Sequence, residues 1–466
     1  MTQPLAYNPV FVTVQTMQID LASAIGTRSA QGIAATIGRL ISAGELAVGS
    51  RLPTVRALAS DLDVSPTTVS EAWRTLASVG AIEARGRNGT FVRQVPGPGS
   101  AQRYRRVTEG PGHFAVDLST GTPDPDLLPD LGPLIATVSR HHLTTSYLDS
   151  PVLPDLEEQL RADWPFPPES MSVVDGAMDA IDRIAREVVR LGDRVVVENP
   201  TFPPFLDLLE LLGAEVVGVD LDDQGISLTG LEAALGAKPS MVIVQPRAQN
   251  PTGTTMSAKR AKAAARLLAG TNAIVVEDDH SGDIASGALV SLGRWLPGQT
   301  VHVRSFSKSH GPDLRLAAVG GAGEVIDAVT TRRLLGPGWS SRILQSVLVA
   351  MLHDDATNEQ IALARDTYAT RRGSFAAALA GHGIATTGTD GINLWVPVPD
   401  ERSMLVTLAA QGIGVAPGAP FSVGSGADHV RVTIGLLADG DGAHARLAAQ
   451  IASASDTDTG WTNRRR

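Results

Sequence analysis

The chain has 466 residues, 43% of them hydrophobic, with 47 glycines and 29 prolines; this excludes a lone binding module, a disordered chain and a collagen-like one, and leaves a globular protein of two or more domains. It has no cysteine, which excludes disulfide frameworks, thiolate metal sites and cysteine nucleophiles, so no metal is expected. The net charge of −10 is unevenly shared, with +2 on residues 1–94 and −12 on the rest.

From Ser29 the apolar positions Ile33, Ile37, Leu40 and Ile41 follow the spacing of an amphipathic helix, and Gly44 stands where it would stop. Thr54 can cap a second helix whose inner face is Val55, Leu58, Ala59 and Leu62. After the turn Asp63-Val64, Ser65 as N-cap and Pro66 at the first position predict a third helix. Its inner face is Val69, Ala72, Trp73 and Leu76. Residues 81–85 and 90–92 then alternate like strands around Gly86 to Gly89, a hairpin signal. This order of elements predicts a winged helix-turn-helix over residues 16–93.

Residues 94–116 are rich in Pro, Gly and polar groups and read as a linker. Beyond it, short apolar runs at 194–197, 241–244 and 273–276 alternate with helical stretches such as 258–269. That is the pattern of an α/β domain with a mostly parallel sheet, predicted over 117–456. The stretch from Gly391 to Val396, a helix near Met404 to Gln411 and a strand at Val430 to Thr433 predict a small α+β subdomain. From about Ser453 the chain is polar and reads as loose. No apolar run reaches the roughly 18 residues of a membrane span, and the first basic residue is Arg28, so a signal peptide is not expected and the cytoplasm is.

The segment ISAGELAVGSRLPTVRALASDLDVSPTTVSEAWRTLASVGAIEARGRNGTFV resembles the winged helix of GntR-type regulators in its order of helices, its Leu-Pro before the second helix and its glycine-bounded wing. The resemblance implies double-stranded DNA as partner, with the third helix in the major groove. Ser65, Thr67, Thr68, Ser70 and Arg74 would then lie at base edges, and Arg56, Arg85 and Arg87 at phosphates or the minor groove. Pro66 stands where the family often has a basic residue, which leaves fewer charge contacts per protomer.

Only four residues are lysine: Lys238, Lys259, Lys262 and Lys308. Lys308 follows the strand-like run 301–304 inside Ser305-Phe-Ser-Lys308-Ser-His-Gly-Pro-Asp-Leu-Arg315. An amine there suits a Schiff base, with Ser305, Ser307 and Arg315 as grips for a phosphate, which points to pyridoxal 5′-phosphate. Asp278 stands at the end of its strand, where a buried carboxylate can pair with a pyridinium nitrogen. Asn250 can donate to the ring 3′-oxygen, Phe202 can stack on the ring, and the amides of Ala177 and Met178 at a helix N-terminus can add phosphate donors. Arg431 offers a fork to the carboxylate of a substrate or effector.

Together these residues resemble the fold-type I aminotransferases, and fused behind a GntR-like winged helix they are similar to the MocR subfamily of regulators. The resemblance implies a DNA-binding regulator whose large domain forms a homodimer, holds pyridoxal 5′-phosphate on Lys308 and senses that cofactor, an amine or an amino acid. His280 stands beside the cofactor where the family commonly has a tyrosine, and Phe202 replaces another; losing two phenols argues against efficient turnover. The rival expectation is a working aminotransferase with an appended winged helix.

Overall fold

The structure, a computed structural model, describes residues 20–42, 45–47, 49–78, 82–86, 89–92, 102–108, 114–138, 146–424, 426–437, 440 and 442–456. The chain divides into two compact units, Met1–Gly99 and Ser100–Arg466.

The first unit begins its main core with helix α1 (Ala30–Ser42), whose free Gly32 amide donates to Ser29 Oγ at 3.1 Å. Helix α2 (Val55–Leu62) is capped by Thr54, which accepts from the Ala57 amide at 3.2 Å. Asp63 then adopts a left-handed conformation (φ 54°) that turns the chain. Helix α3 (Pro66–Ser78) starts at Ser65, whose Oγ accepts from the Thr67 amide. Strands β1 (Ile82–Ala84) and β2 (Thr90–Val92) pair antiparallel through a turn with positive φ at Gly86 and Gly89. Ile33, Ile37, Leu58, Leu62, Val69 and Leu76 are fully buried together, each stabilising by about 1.5–3 kcal/mol. Gly44 and Arg87 lie outside the described residues.

The second unit opens with helix α4 (Gln102–Thr108), inside the segment expected to be a linker. Its sequence reads as polar because only Tyr104 and Val107 are apolar, but those two share one face and Val107 is buried against Trp395, Ala416 and Phe421. The free amides of Arg103 and Tyr104 donate to the Asp207 carboxylate at 3.2 and 3.0 Å, so a neighbouring helix supplies the cap that α4 lacks. Strand β3 (Val116–Leu118) follows.

A mostly parallel eight-stranded sheet is built from β4 (Ser170–Val174), β5 (Arg194–Asn199), β6 (Glu215–Asp222), β7 (Gly225–Ile226), β8 (Met241–Val244), β9 (Ile274–Asp279), β10 (Thr300–Ser305) and β11 (Ala317–Gly321). Their order is β4-β11-β10-β9-β8-β5-β6-β7, with β11 antiparallel to both its neighbours. Helices α5 (Ala177–Val188), α6 (Pro203–Leu211) and α7 (Ala258–Leu268) alternate with the strands. The apolar runs at 195–197, 241–244 and 275–276 are buried throughout, as strands covered on both faces require.

The 27-residue helix α8 (Asp355–Gly381) leads to a second sheet of β12 (Asn393–Pro397), β13 (Ile413–Pro417) and β14 (His429–Thr433), in the order β12-β14-β13-β3. Its edge is β3, returned from the start of the unit to run parallel to β13 with Val116 opposite Ile413 and Leu118 opposite Val415. The last helix, Ala443–Asp456, carries the chain past Ser453, with Ile451 and Ala454 buried; the expected loose end is helical there because those two small and apolar groups close the small core.

Candidate functional site

In the first unit, α3 buries Val69, Ala72, Trp73 and Leu76 and turns Thr67 and Arg74 fully outward, with Thr68 and Ser70 half-exposed. Arg56 is exposed on the first turn of α2. Ser65 is exposed, and its hydroxyl is committed as the cap of α3. Arg85 is exposed too, but its guanidinium pairs with Glu83 and lies 4.9 Å over the Phe91 ring. It must give up or share that partner to hold a phosphate.

In the second unit the strand register builds the site. Ser305 lies beside Ala317, and Ala317 beside Val174, so the segments after β10, before β11 and after β4 end together. There Arg315, itself in a left-handed conformation, donates to the Asp175 carbonyl at 3.2 Å and approaches Gly176 closely enough that a Cβ would sit 3.2 Å from its terminal nitrogen. Gly176, at φ 102°, opens α5 and presents Ala177 and Met178 at the helix N-terminus. The Ser305 hydroxyl accepts from the Ser307 amide at 3.3 Å. These groups form a cradle of donors suited to an anion.

Asp278 is the fifth residue of β9 and is buried. One oxygen, Oδ2, accepts from the Gln245 amide at 2.7 Å; the other, Oδ1, is buried with no partner. Burial pushes the carboxyl up to about 6, against the Gln245 bond and the nearby Lys308, which both lower it. The next residue, Asp279, is matched by Arg247 through two bonds of 3.1 and 2.6 Å. Of these two adjacent acids, only Asp278 keeps an oxygen unmatched.

Lys308 Nζ lies 3.1 Å from His280 Nδ1. The other ring nitrogen, Nε2, is 2.9 Å from the Ala248 carbonyl, which can only accept, so Nε2 carries the proton and Nδ1 accepts from the lysine. Burial, then the Lys308 charge, holds His280 well below its usual range, which keeps the ring neutral. Burial also lowers Lys308 to about 8, opposed by Asp278.

Asn250 donates its main-chain amide to Gln245 Oε1 at 2.9 Å, and its Oδ1 faces Arg431 at 3.3 Å, leaving Nδ2 as its side-chain donor end. Arg431 is not a surface arginine. It is fully buried on β14, bonded to the Ser119 carbonyl, stacked 5.0 Å over Phe421, and its Nε has no partner. Burial lowers it to about 10. Phe202 is half-buried at the start of α6, edge-on to Phe205 and to Tyr104.

Three participants are absent from the sequence expectations. Gln245 joins Asp278 to the Asn250 main chain, and the Glu198 carboxylate accepts the Gln245 amide at 3.0 Å, with burial pushing Glu198 up to about 8. Both stand where an apolar strand run gives way to a polar residue at its carboxyl end, a signal of the ligand crevice in open α/β sheets. Tyr104 reaches Phe202 from α4, which no pattern in the sequence marked.

The residues present fit pyridoxal 5′-phosphate: a buried carboxylate oxygen without a partner, an amine of lowered pKa, and an anion cradle where a Cβ at Gly176 would crowd Arg315.

Comparison with known proteins gives two family matches. The family described as "Aminotransferase class I and II" matches residues 115–443, and "Bacterial regulatory proteins, gntR family" matches residues 29–92. The vitamin B6 salvage pathway transcriptional repressor PtsJ of Salmonella typhimurium is 36% identical over 90% of this chain and 96% of its own. The HTH-type transcriptional regulator TauR of Rhodobacter capsulatus is 28% identical over 82% of this chain and 87% of its own. Among solved structures, a multiple substrate aminotransferase from Thermococcus profundus superposes with a TM-score of 0.69 at 20% identity, over 79% of this chain and 97% of that one. That likeness shows the fold of the second unit.

Proposed function

Since the chain belongs to the GntR-type regulators that carry an aminotransferase class I and II domain, we propose that it is a cytoplasmic transcriptional regulator of the MocR kind: its first unit binds double-stranded DNA, and its second holds pyridoxal 5′-phosphate. The observation that carries the cofactor reading is the unpartnered buried Oδ1 of Asp278 at the same sheet end as the Lys308 amine. An unmatched buried carboxylate oxygen is costly, and a ligand N–H relieves it.

The cofactor, when bound, supplies an aldehyde that a lysine amine can take and a ring that draws electrons. Lys308, lowered to about 8, is partly neutral near pH 7, and its Nζ proton is held by His280 Nδ1. Asp278 Oδ1 would accept the ring N–H. Ser305, Ser307, Arg315 and the amides of Ala177 and Met178 would hold the phosphate. Phe202 would cover one ring face, and Asn250 Nδ2 would donate to the 3′-oxygen. Arg431 would take the carboxylate of an amino-acid effector. The vitamin B6 salvage role in the name of the 36% identical relative supports pyridoxal 5′-phosphate itself as the signal.

A homodimer formed by the second unit fits its surface: Tyr147, Leu148 and Leu335 are 89%, 95% and 92% exposed in the single chain, apolar area that association covers. Sedimentation of the full chain as a monomer would exclude it.

The test of the cofactor reading is spectroscopic. Protein mixed with pyridoxal 5′-phosphate develops visible absorbance that borohydride fixes covalently to Lys308. Labelling at Lys238, Lys259 or Lys262 instead would overturn the assignment. Binding to DNA upstream of its own gene, with and without the cofactor, tests the regulatory half, and turnover with amino and keto acids tests the rival enzyme.

A further inference from the structure

Phe202 caps α6 beside the large sheet and Arg431 stands on β14 of the small one, and helix α4 touches the surroundings of both. Tyr104 meets the Phe202 ring edge-on, with centroids 6.2 Å apart and planes at 78°. One turn later, Val107 is 4% exposed in a cluster with Trp395, Ala416 and Phe421. Those three surround Arg431: Trp395 and Ala416 are its register partners on β12 and β13, and Phe421 lies under its guanidinium. At its other end α4 is tied to α6, where Asp207 caps it and Arg103 pairs with Glu210 at 2.6 Å.

A helix of seven residues is not stable alone in water, because nucleation outweighs the few bonds it makes. Helix α4 therefore depends on the surfaces it is seated on.

We propose that α4 is a two-state strap over the ligand crevice and that Tyr104 is a ligand-contacting residue, so that pyridoxal 5′-phosphate fixing Phe202 locks the strap in its helical state. The strap is the first described element of the second unit, on the path of the chain from the DNA-binding unit. A ligand is thus read at the point where the two units are joined in sequence. The inference rests on the cofactor reading above, and its test separates the two.

Hydrogen exchange of the 103–108 amides is followed in the full chain with and without saturating pyridoxal 5′-phosphate, with visible absorbance recorded on the same samples. In the wild type the cofactor slows exchange in α4 by about tenfold or more. Tyr104→Phe keeps the edge contact with Phe202 but loses most of the cofactor-dependent slowing with the hydroxyl. Tyr104→Ala loses all of it while the visible band still forms. A full visible band with no slowing in the wild type, or equal slowing in the wild type and both variants, overturns the strap and leaves the cofactor reading standing. Absence of the band in the wild type removes the cofactor reading, and the strap falls with it.

Discussion

The two units place their candidate functional groups on opposite sides of the solvent boundary. On α3 the apolar residues are spent on the core, and Thr67 and Arg74 are left outside. In the second unit Asp278, Arg431 and His280 are themselves interior, each in a fixed set of neighbours. The first arrangement suits a large surface met by groups that keep their water until contact, and the second suits a small ligand met by polar groups desolvated in advance. Substitutions in the first unit should act on affinity for DNA in small steps, and those in the second on an all-or-none chemistry.

The largest expected effect is at Lys308. Lys308→Ala should lose the visible absorbance and borohydride labelling entirely, while sedimentation shows an unchanged oligomer. Any ligand-dependent change in DNA binding should vanish with it; an unchanged response would place the switch elsewhere.

The sharpest test of the division is Leu76→Ala. Leu76 is fully buried in the core of the first unit, and its truncation should cost about 2–5 kcal/mol, enough to unfold so small a core. Calorimetry should lose the transition of the first unit, and the cofactor titration of the second should not move.

Gln245→Leu probes the interior strategy more gently. It leaves Asp278 Oδ2 without its donor, at a cost of about 1–3 kcal/mol. The sign of the pH effect follows from the carboxyl, which must be ionised to accept the ring N–H. With Asp278 at about 6, cofactor affinity falls as pH drops through that value. The Gln245 bond works against burial to hold the carboxyl down, so its loss should move the fall in affinity to higher pH in absorbance titrations.

Effects no larger than that are expected on α2 and α3. Thr68→Ala should relax preference at one position of each half-site by about 1–3 kcal/mol against the cognate base. Arg56→Ala should weaken all duplexes alike and lower the salt slope of binding by about one.

The winged helix was legible almost residue by residue, because capping groups, inner faces and turn glycines are local signals, and Thr54, Ser65, Asp63 and Gly86 take up the geometries their chemistry favours. Strands β5, β8 and β9 of the large sheet were equally plain as apolar runs, and β10 as the strand-like run before Lys308. Many elements were not marked, and two show the physical reason most clearly. Strand β3 is three residues long and gains its place only by pairing with β13, some three hundred positions away, and α4 draws its cap and its packing from α6 and the small sheet. Neither carries a pattern of its own. Within the site, sequence named the groups that would touch a ligand but not Gln245, whose part is to hold two of them, Asp278 and Asn250, in place.

The hydrogen bond from His280 to the Ala248 carbonyl has a practical corollary. A main-chain atom dictates which ring nitrogen bears hydrogen, and no change of side chain at position 248 removes it. The imidazole is therefore a built-in gauge: with Nε2 committed, the nitrogen-15 resonance of Nδ1 responds to its two polar neighbours, the Lys308 amine at 3.1 Å and the Ser281 hydroxyl at 3.4 Å. One labelled histidine then reports, in solution and without any dye, whether that amine is free or engaged.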